Sequence, residues 1–310
     1  MPPAVSIVMP CHNALAHLPA SVGSVLAQGF GDWELIAVDD GSRDGTLAWL
    51  QAQADPRIRV HSQANQGVSA ARNAGIAAAR GEYLAFLDAD DTWSPDFLAH
   101  MHAALDSRPD AVLAYCGWQN LGLPGGRGEP FVPPDYETPD KESTLFAGCR
   151  WPIHAALART ASIHRAGGFD TRLRIAEDYL LWLRLAGRTA VVSVPEVLAN
   201  YHFHGGSQAT ANHVLVAIDF WRAQRFYLRE NPSFARRLGH RRRRELTLGR
   251  LKEAGFRRYW AGDLDSARPI FRLVMRHGHG SLSDWKYMLP AWLPATFHAR
   301  LVSNLRRPVS

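Results

Sequence analysis

Glu34-Leu35-Ile36-Ala37-Val38-Asp39-Asp40-Gly41-Ser42 is the stretch whose reading decides the fold. A short apolar run ends abruptly on two carboxylates and a turn, the pattern of a buried strand whose far end meets solvent. The same form recurs at Tyr83 to Leu87, followed by Asp88-Ala89-Asp90-Asp91. Around these two stretches apolar runs alternate with helical patterns. Val5 to Met9 reads as a strand, residues 16 to 28 as a helix, and a further helix follows Ser42. Ile58 to His61 is a third strand, and a helix from Val68 to Ala79 stops at Arg80-Gly81. This βαβα rhythm predicts an α/β domain: a Rossmann-like, mostly parallel sheet with helices on both faces. Its binding crevice should lie beyond the carboxyl ends of the strands.

Further along, a helix is expected over residues 95 to 107 and a strand over Ala111 to Cys116. The Gly/Pro-rich stretch from Leu121 to Pro139 reads as a long, mobile surface loop. A strongly helical segment, Glu177 to Leu185, a last strand, Ala190 to Val194, and a turn over Tyr201 to Ser207 close a domain of residues 1–208. Residues 209–310 read as a small α-helical appendage, with a hairpin over Gly249 to His277 turning at Gly262-Asp263, like a single tetratricopeptide unit.

Composition excludes some classes. Of 310 residues 46% are hydrophobic and 21% charged, which is neither a disordered nor a fibrous chain. The net charge of +6 arises largely in the last third, where Arg236, Arg237 and the run Arg241 to Arg244 cluster. That cluster suits a solvated helix face, or contact with anionic lipid or an anionic acceptor. No reading module accompanies it, so nucleic acid is not an expected partner. Three cysteines without CxxC pairing, no leader and no spanning apolar run lead to the expectation of a cytoplasmic protein, with peripheral contact at the inner face of the plasma membrane. Oligomeric state is not legible.

Four constellations can carry chemistry. Asp39 and Asp40 can accept hydrogen bonds from the ring N–H of a base or from ribose hydroxyls, although Asp-Asp-Gly-Ser equally suits a turn and helix cap. Asp88, Asp90 and Asp91 repel one another, which solvent or a hard cation relieves; Mn2+ or Mg2+ would complete its octahedron with diphosphate oxygens and water. Glu177-Asp178 opens a helix, where a carboxylate is dipole-stabilised and can also serve as general base. His202 and His204 could reach a metal or a phosphate. No GxGxxG follows the first strand and no P-loop is present, so dinucleotide-binding enzymes and P-loop NTPases drop out.

Taken in order, the motifs resemble glycosyltransferase family 2, the inverting enzymes of GT-A fold. The matching residues are Val5 to Pro10 with His12-Asn13, Glu34 to Ser42 with Asp44-Gly45-Thr46, and Asn65-Gln66-Gly67 with Ala71-Arg72-Asn73-Ala74-Gly75. They continue through Gly81 to Asp91, Gly167-Gly168-Phe169-Asp170 and Glu177 to Leu185, and cover about residues 4 to 208. The resemblance implies a nucleotide-sugar donor, a UDP-sugar at family level, bound by Pro10, Asn13, Asp39, Asp40 and Arg72. Asp88 would face the ribose, Asp90 and His204 the metal and diphosphate, and Asp178 would be the catalytic base. His202 stands where relatives commonly carry Arg. Glu177, Asp91, His202 and Trp151 are candidates for acceptor contact or for support of these groups.

A glycan or lipid-linked acceptor would meet the Leu121 to Pro139 loop and the segment Cys149 to His154, where Trp151 can stack on a sugar ring or pack in the core. Gln224-Arg225-Phe226 does not match the Gln-x-x-Arg-Trp signature of the membrane-bound polymerases, which favours single addition of a hexosyl-type sugar. Two rivals remain. A haloacid dehalogenase-like phosphatase would place Asp88-x-Asp90-x-Thr92 on its first strand rather than its fourth. A non-catalytic sugar-nucleotide or glycan-binding module would have lost Asp90 or Asp178, and both are present.

Overall fold

The apolar runs become strands β1 Val5–Cys11, β2 Trp33–Asp40, β3 Ile58–Gln63 and β4 Tyr83–Phe86 in the computed structural model, which describes residues 1–123, 128–204, 211–298 and 300. The strands pair in parallel, with Cys11 beside Asp39 and Asp40 beside Gln63, so their carboxyl ends finish at one edge. Period-two alternation then buries both faces. Ile7, Leu35 and Ala37 point into the large core that includes Leu18, Val22 and Val25 of helix α1 Leu18–Leu26. Ile36 and Val38 point the other way and meet Ala71 of α3 Val68–Ala78. Between these lies the short helix α2 Thr46–Gln51.

Two units divide the chain, Met1–Gln208 and Ala209–Ser310. In the first, the later elements are β5 Thr92–Trp93, α4 Phe97–Asp106, β6 Ala111–Leu121, α5 Lys141–Phe146, β7 Ala156–Arg159, α6 Thr160–Ala166, α7 Glu177–Ala186 and β8 Ala190–His202. Among the described residues one sheet of eight strands runs in the order β3-β2-β1-β4-β7-β6-β8-β5. It is a mixed sheet, because β7 lies antiparallel between β4 and β6, and β5 pairs antiparallel with β8.

The sequence pattern missed β7, whose four residues Ala156-Leu157-Ala158-Arg159 include two alanines, a residue depleted in strands. It also ended β8 too early. Pro195 reads as a strand terminator, yet the pairing register jumps from Cys116–Val194 to Gly117–Val197, and this irregularity takes up the proline so that pairing resumes as far as His202. Strand β6 likewise runs on to Leu121, and the stretch expected to be a mobile loop is pinned in its described part. Tyr115 Oη donates to Pro134 O at 3.0 Å and accepts from the Tyr136 N–H at 2.8 Å, while Phe131 bridges Trp118. Residues 124–127 of that stretch lie outside the described residues.

The second unit is helical among its described residues. It runs through α8 His213–Glu230, α9 Pro232–Leu238, α10 His240–Arg244, α11 Arg250–Trp260, α12 Leu264–Arg276 and α13 Leu282–Met288. Its core joins Trp221, Leu251, Tyr259, Phe271, Val274 and Met288. The hairpin of α11 and α12 turns at Ala261–Asp263 as expected, with Asp263 capping α12 by accepting the Ser266 N–H at 3.1 Å. No described helix is long and apolar enough to cross a membrane.

Helix α3 approaches β1 so closely that a Cβ at Gly75 would lie 2.3 Å from Val8 Cγ1. Gly75→Ala should therefore destabilise the first unit by about 1–3 kcal/mol through overpacking, in spite of the better helix propensity of alanine, as read from the urea midpoint at unchanged m-value.

Candidate active site

Beyond the carboxyl end of β4 one side chain, Arg72 of α3, joins two acidic segments. It is only 3% exposed, with Nη1 donating to Glu177 Oε1 and Nη2 to Asp88 Oδ1, each at 2.6 Å. Its guanidinium carbon lies 5.2 Å from the Phe169 ring centroid. Burial alone would disfavour the cation, but Asp88 and Glu177 outweigh it and hold Arg72 firmly protonated. Arg72 was expected to face the base; here its terminal nitrogens join the loop after β4 to the start of α7. The neighbouring Asn73 holds the same side from below, accepting the Phe169 N–H and donating to Phe169 O, both at 2.9 Å.

At the start of α7, Ala176 has φ 62°, a left-handed conformation that costs a β-carbon-bearing residue roughly 1–2 kcal/mol. It turns the chain so that Glu177 and Asp178 begin the helix. Glu177 faces Arg72, while Asp178 Oδ1 accepts the Tyr179 N–H at 2.7 Å. Burial, then the charge of Glu177, raise the Asp178 carboxyl to about 7, against the lowering pull of Arg72 and the Tyr179 N–H. A group so poised exchanges a proton near neutrality. Tyr179 Oη donates to Phe146 O at 2.6 Å and anchors α7 to α5.

The two aspartates ending β2 have different surroundings. Asp40 is fully engaged, accepting from Gln63 Nε2 at 2.8 Å and from the N–H groups of Gln66 and Gly67 at 2.9 and 2.8 Å. It shapes the turn into α3 rather than offering a free oxygen. Asp39 is equally buried, but its Oδ1 has no partner and its Oδ2 has only long contacts of 3.4 Å, from the Ser42 N–H and from Ser62 Oγ. A buried, unmatched carboxylate oxygen in a crevice is an acceptor waiting for a ligand donor. Asn13, at φ 49°, accepts the Arg43 N–H on Oδ1 at 2.8 Å and donates its own N–H to Ser42 Oγ at 2.9 Å, so it ties two loops together. Pro10 is buried within β1 beside Val38.

The carboxylates after β4 divide their roles. Asp88 faces Arg72. Asp91 is buried, accepting the His202 N–H at 2.9 Å through Oδ1, with Oδ2 in ion-pair contact with His154 Nδ1 at 2.9 Å. Burial works to lower the pKa of His154, but the charge of Asp91 and the contact with it raise it overall. Asp90 projects outward to His204 Nε2 at 2.8 Å, each side chain about a third exposed. Burial raises its carboxyl, and Asp88 and Asp91 raise it further. The His204 ring stacks at 4.2 Å on His17.

Among the described residues no group of three or more His, Cys, Asp or Glu is arranged to hold a metal ion by itself. The Asp90 and His204 pair, strained by neighbouring negative charge, nevertheless fits a divalent ion that takes its other ligands from diphosphate and water.

Two expected residues stand elsewhere. Trp151 is 2% exposed and stacks on Tyr115 at 4.4 Å, so of its two readings the core one holds: the ring is enclosed and has no face for a sugar. His202 belongs to β8, with Nε2 2.9 Å from Thr92 Oγ1, which turns it away from a phosphate-binding role. Residues 205–207, the rest of the expected turn, lie outside the described residues. His154 and His17 were not singled out. His154 lies between Ile153 and Ala155, where apolar neighbours signalled only burial.

A family model described as Glycosyl transferase family 2 matches residues 6–138. The chain is 35% identical over 216 residues to the O-antigen biosynthesis protein RfbC of Myxococcus xanthus, covering 68% of this chain and 16% of that protein. It is 33% identical over 267 residues to the succinoglycan biosynthesis protein ExoO of Rhizobium meliloti, covering 78% of this chain and 73% of that one. The chain thus spans under a quarter of the length of some curated relatives. Among solved structures, S. aureus TarS 1-349 in complex with UDP-GlcNAc superposes with a TM-score of 0.59 at 17% identity, covering 98% of this chain and 91% of that one.

Arg72→Met would leave Asp88 and Glu177 facing each other without their shared cation. Loss of one partner from a buried charge cluster costs about 3–5 kcal/mol, so this variant should lose most of that amount in urea unfolding, and Arg72→Lys, lacking the planar fork, should recover only part.

Proposed function

We propose a reaction for this chain from one premise: it belongs to glycosyltransferase family 2. The reaction is transfer of a single hexosyl-type sugar from a UDP-sugar to an acceptor hydroxyl, with inversion at the anomeric carbon. The observation that carries this reading is the Arg72 bridge, which holds Asp178 at a set place relative to the Asp88–Asp91 loop.

Asp39 Oδ1 is the acceptor for a base, and uracil offers one ring N–H to one free carboxylate oxygen. Guanine would bring an amino group as well, directed at Asp39 Oδ2, which the Ser42 N–H and Ser62 Oγ already approach. Asp88 faces the ribose with the oxygen that Arg72 leaves free. Asp90 and His204 would hold Mn2+ or Mg2+, which when bound supplies charge neutralisation at the departing diphosphate. Asp178, ionised above about pH 7, accepts the proton of the acceptor hydroxyl as that oxygen attacks C1 of the sugar. Attack from the face opposite the leaving diphosphate gives inversion, and nucleoside diphosphate departs. Relatives named for O-antigen and succinoglycan biosynthesis support a surface polysaccharide as the setting, and a lipid-linked acceptor at the cytoplasmic side of a membrane is part of the proposal.

A thermal-shift screen of UDP, GDP and their sugars, with and without Mn2+, tests the donor side. UDP with metal at a hundred times its dissociation constant should stabilise the protein by about 2.7 kcal/mol, and Asp39→Asn should lose the preference for UDP. A GDP response of equal size overturns the base assignment.

On the chemical side, kcat/KM should fall as pH drops through about 7, because a raised carboxyl becomes protonated there and can no longer accept a proton. Asp178→Asn should lower kcat by about 10²- to 10⁴-fold while donor binding persists, and turnover that survives the change overturns Asp178 as the base.

A further inference from the structure

The helical unit carries a surface to which the proposed reaction assigns no role. Ten large apolar side chains stand exposed among the described residues, and six of them fall in the second unit: Trp260, Leu282, Leu289, Trp292, Leu293 and Phe297. Scattered exposed apolar residues need no explanation, but this concentration does. Trp292 is 48% and Phe297 61% exposed. The guanidinium carbons of Arg272 and Arg276, one helical turn apart on α12, lie 5.5 and 5.4 Å from the Trp292 ring centroid. Trp260 meets Tyr287 edge-on at 5.4 Å, and Lys286 Nζ lies 5.6 Å from that same Tyr287 ring. Aromatic rings flanked by cations, with leucines alongside, are the composition that settles at a headgroup boundary.

Charge selects the partner. Residues 209–310 hold 20 Lys and Arg against 7 Asp and Glu, whereas residues 1–208 hold 15 against 22. An anionic surface therefore attracts this unit and repels the other. A nucleic acid would satisfy the arginines but give no contact to Leu289, Leu293 and Phe297.

We propose that the surface around Trp292, Leu293 and Phe297 docks on an anionic lipid membrane, its apolar side chains entering the headgroup region and Arg272 and Arg276 meeting lipid phosphates. The inference deepens the proposed function and rests on it for one point, an acceptor presented at a membrane.

The test is cosedimentation of the full chain, without donor, with phosphatidylcholine vesicles and with vesicles containing phosphatidylglycerol, at low and high salt. The wild type should pellet with the anionic vesicles and be released by salt. Trp292→Ser with Phe297→Ser should weaken that binding by about tenfold or more while leaving the nucleotide thermal shift unchanged. Binding indifferent to lipid charge overturns the proposal, and so does a double variant that pellets like the wild type. A lipid-free dimer that the double variant dissociates also overturns it, because the occupant is then a second copy. Vesicle binding as expected in a chain that shows no nucleotide response supports the membrane surface and removes the donor reading instead.

Discussion

Everything around the crevice depends on one buried cation. Arg72 extends from a helix that packs on the back of β1 and β2, and its two terminal nitrogens clamp carboxylates from segments 89 residues apart in sequence, at Asp88 and Glu177. Such a pair is costly to bury and is kept where geometry needs it, because two acidic loops cannot be brought together without a shared counterion. The clamp also explains the residues beside it. Ala71 meets the sheet, Asn73 holds the Phe169 backbone, and Gly75 lets the helix sit against Val8. Four constraints within five residues, at Ala71, Arg72, Asn73 and Gly75, make this short segment hard to vary.

The first four strands and the acidic residues at their ends were legible because each depends on a few neighbouring residues: an apolar run, then carboxylates, then a turn. What was not legible depends on partners distant in the chain. Asp39 and Asp40 are both acidic strand ends in sequence, yet one oxygen of Asp39 lacks a partner while both oxygens of Asp40 accept from Gln63, Gln66 and Gly67. Trp151 could have lain on the surface or in the core until Tyr115 was found against it. The proline of β8 is a terminator by local rules and is overruled by a break in register.

The Asp88–Asp91 loop shows how repulsion among like charges can be resolved by direction. One carboxylate turns to an arginine, one to a backbone N–H and a buried histidine, and one outward to His204. Asp91 alone is withdrawn from solvent, and Asp90 is the one whose exposed charge faces a histidine rather than an arginine. A carboxylate at the amino end of a strand behaves otherwise. Glu34 is buried at the start of β2, where burial would raise its carboxyl but bonds from Arg80, Ser6 and Arg59 bring it down to about 2. That acid is fully matched and holds strands together, with nothing left to offer a ligand.

The antiparallel strand β7 is short, and it divides the sheet into two blocks of different origin in the chain. On one side β1 to β4 pair in parallel within the first 86 residues; on the other β6 and β8 pair in parallel across residues 111 to 202. Three residue pairs on each side of β7 are the seam. Insertions or deletions between β6 and β7 can therefore be absorbed without shifting the register that aligns Cys11 with Asp39. The register of one block is thus insulated from changes of length in the other, while the Arg72–Glu177 bridge still ties the two at the crevice.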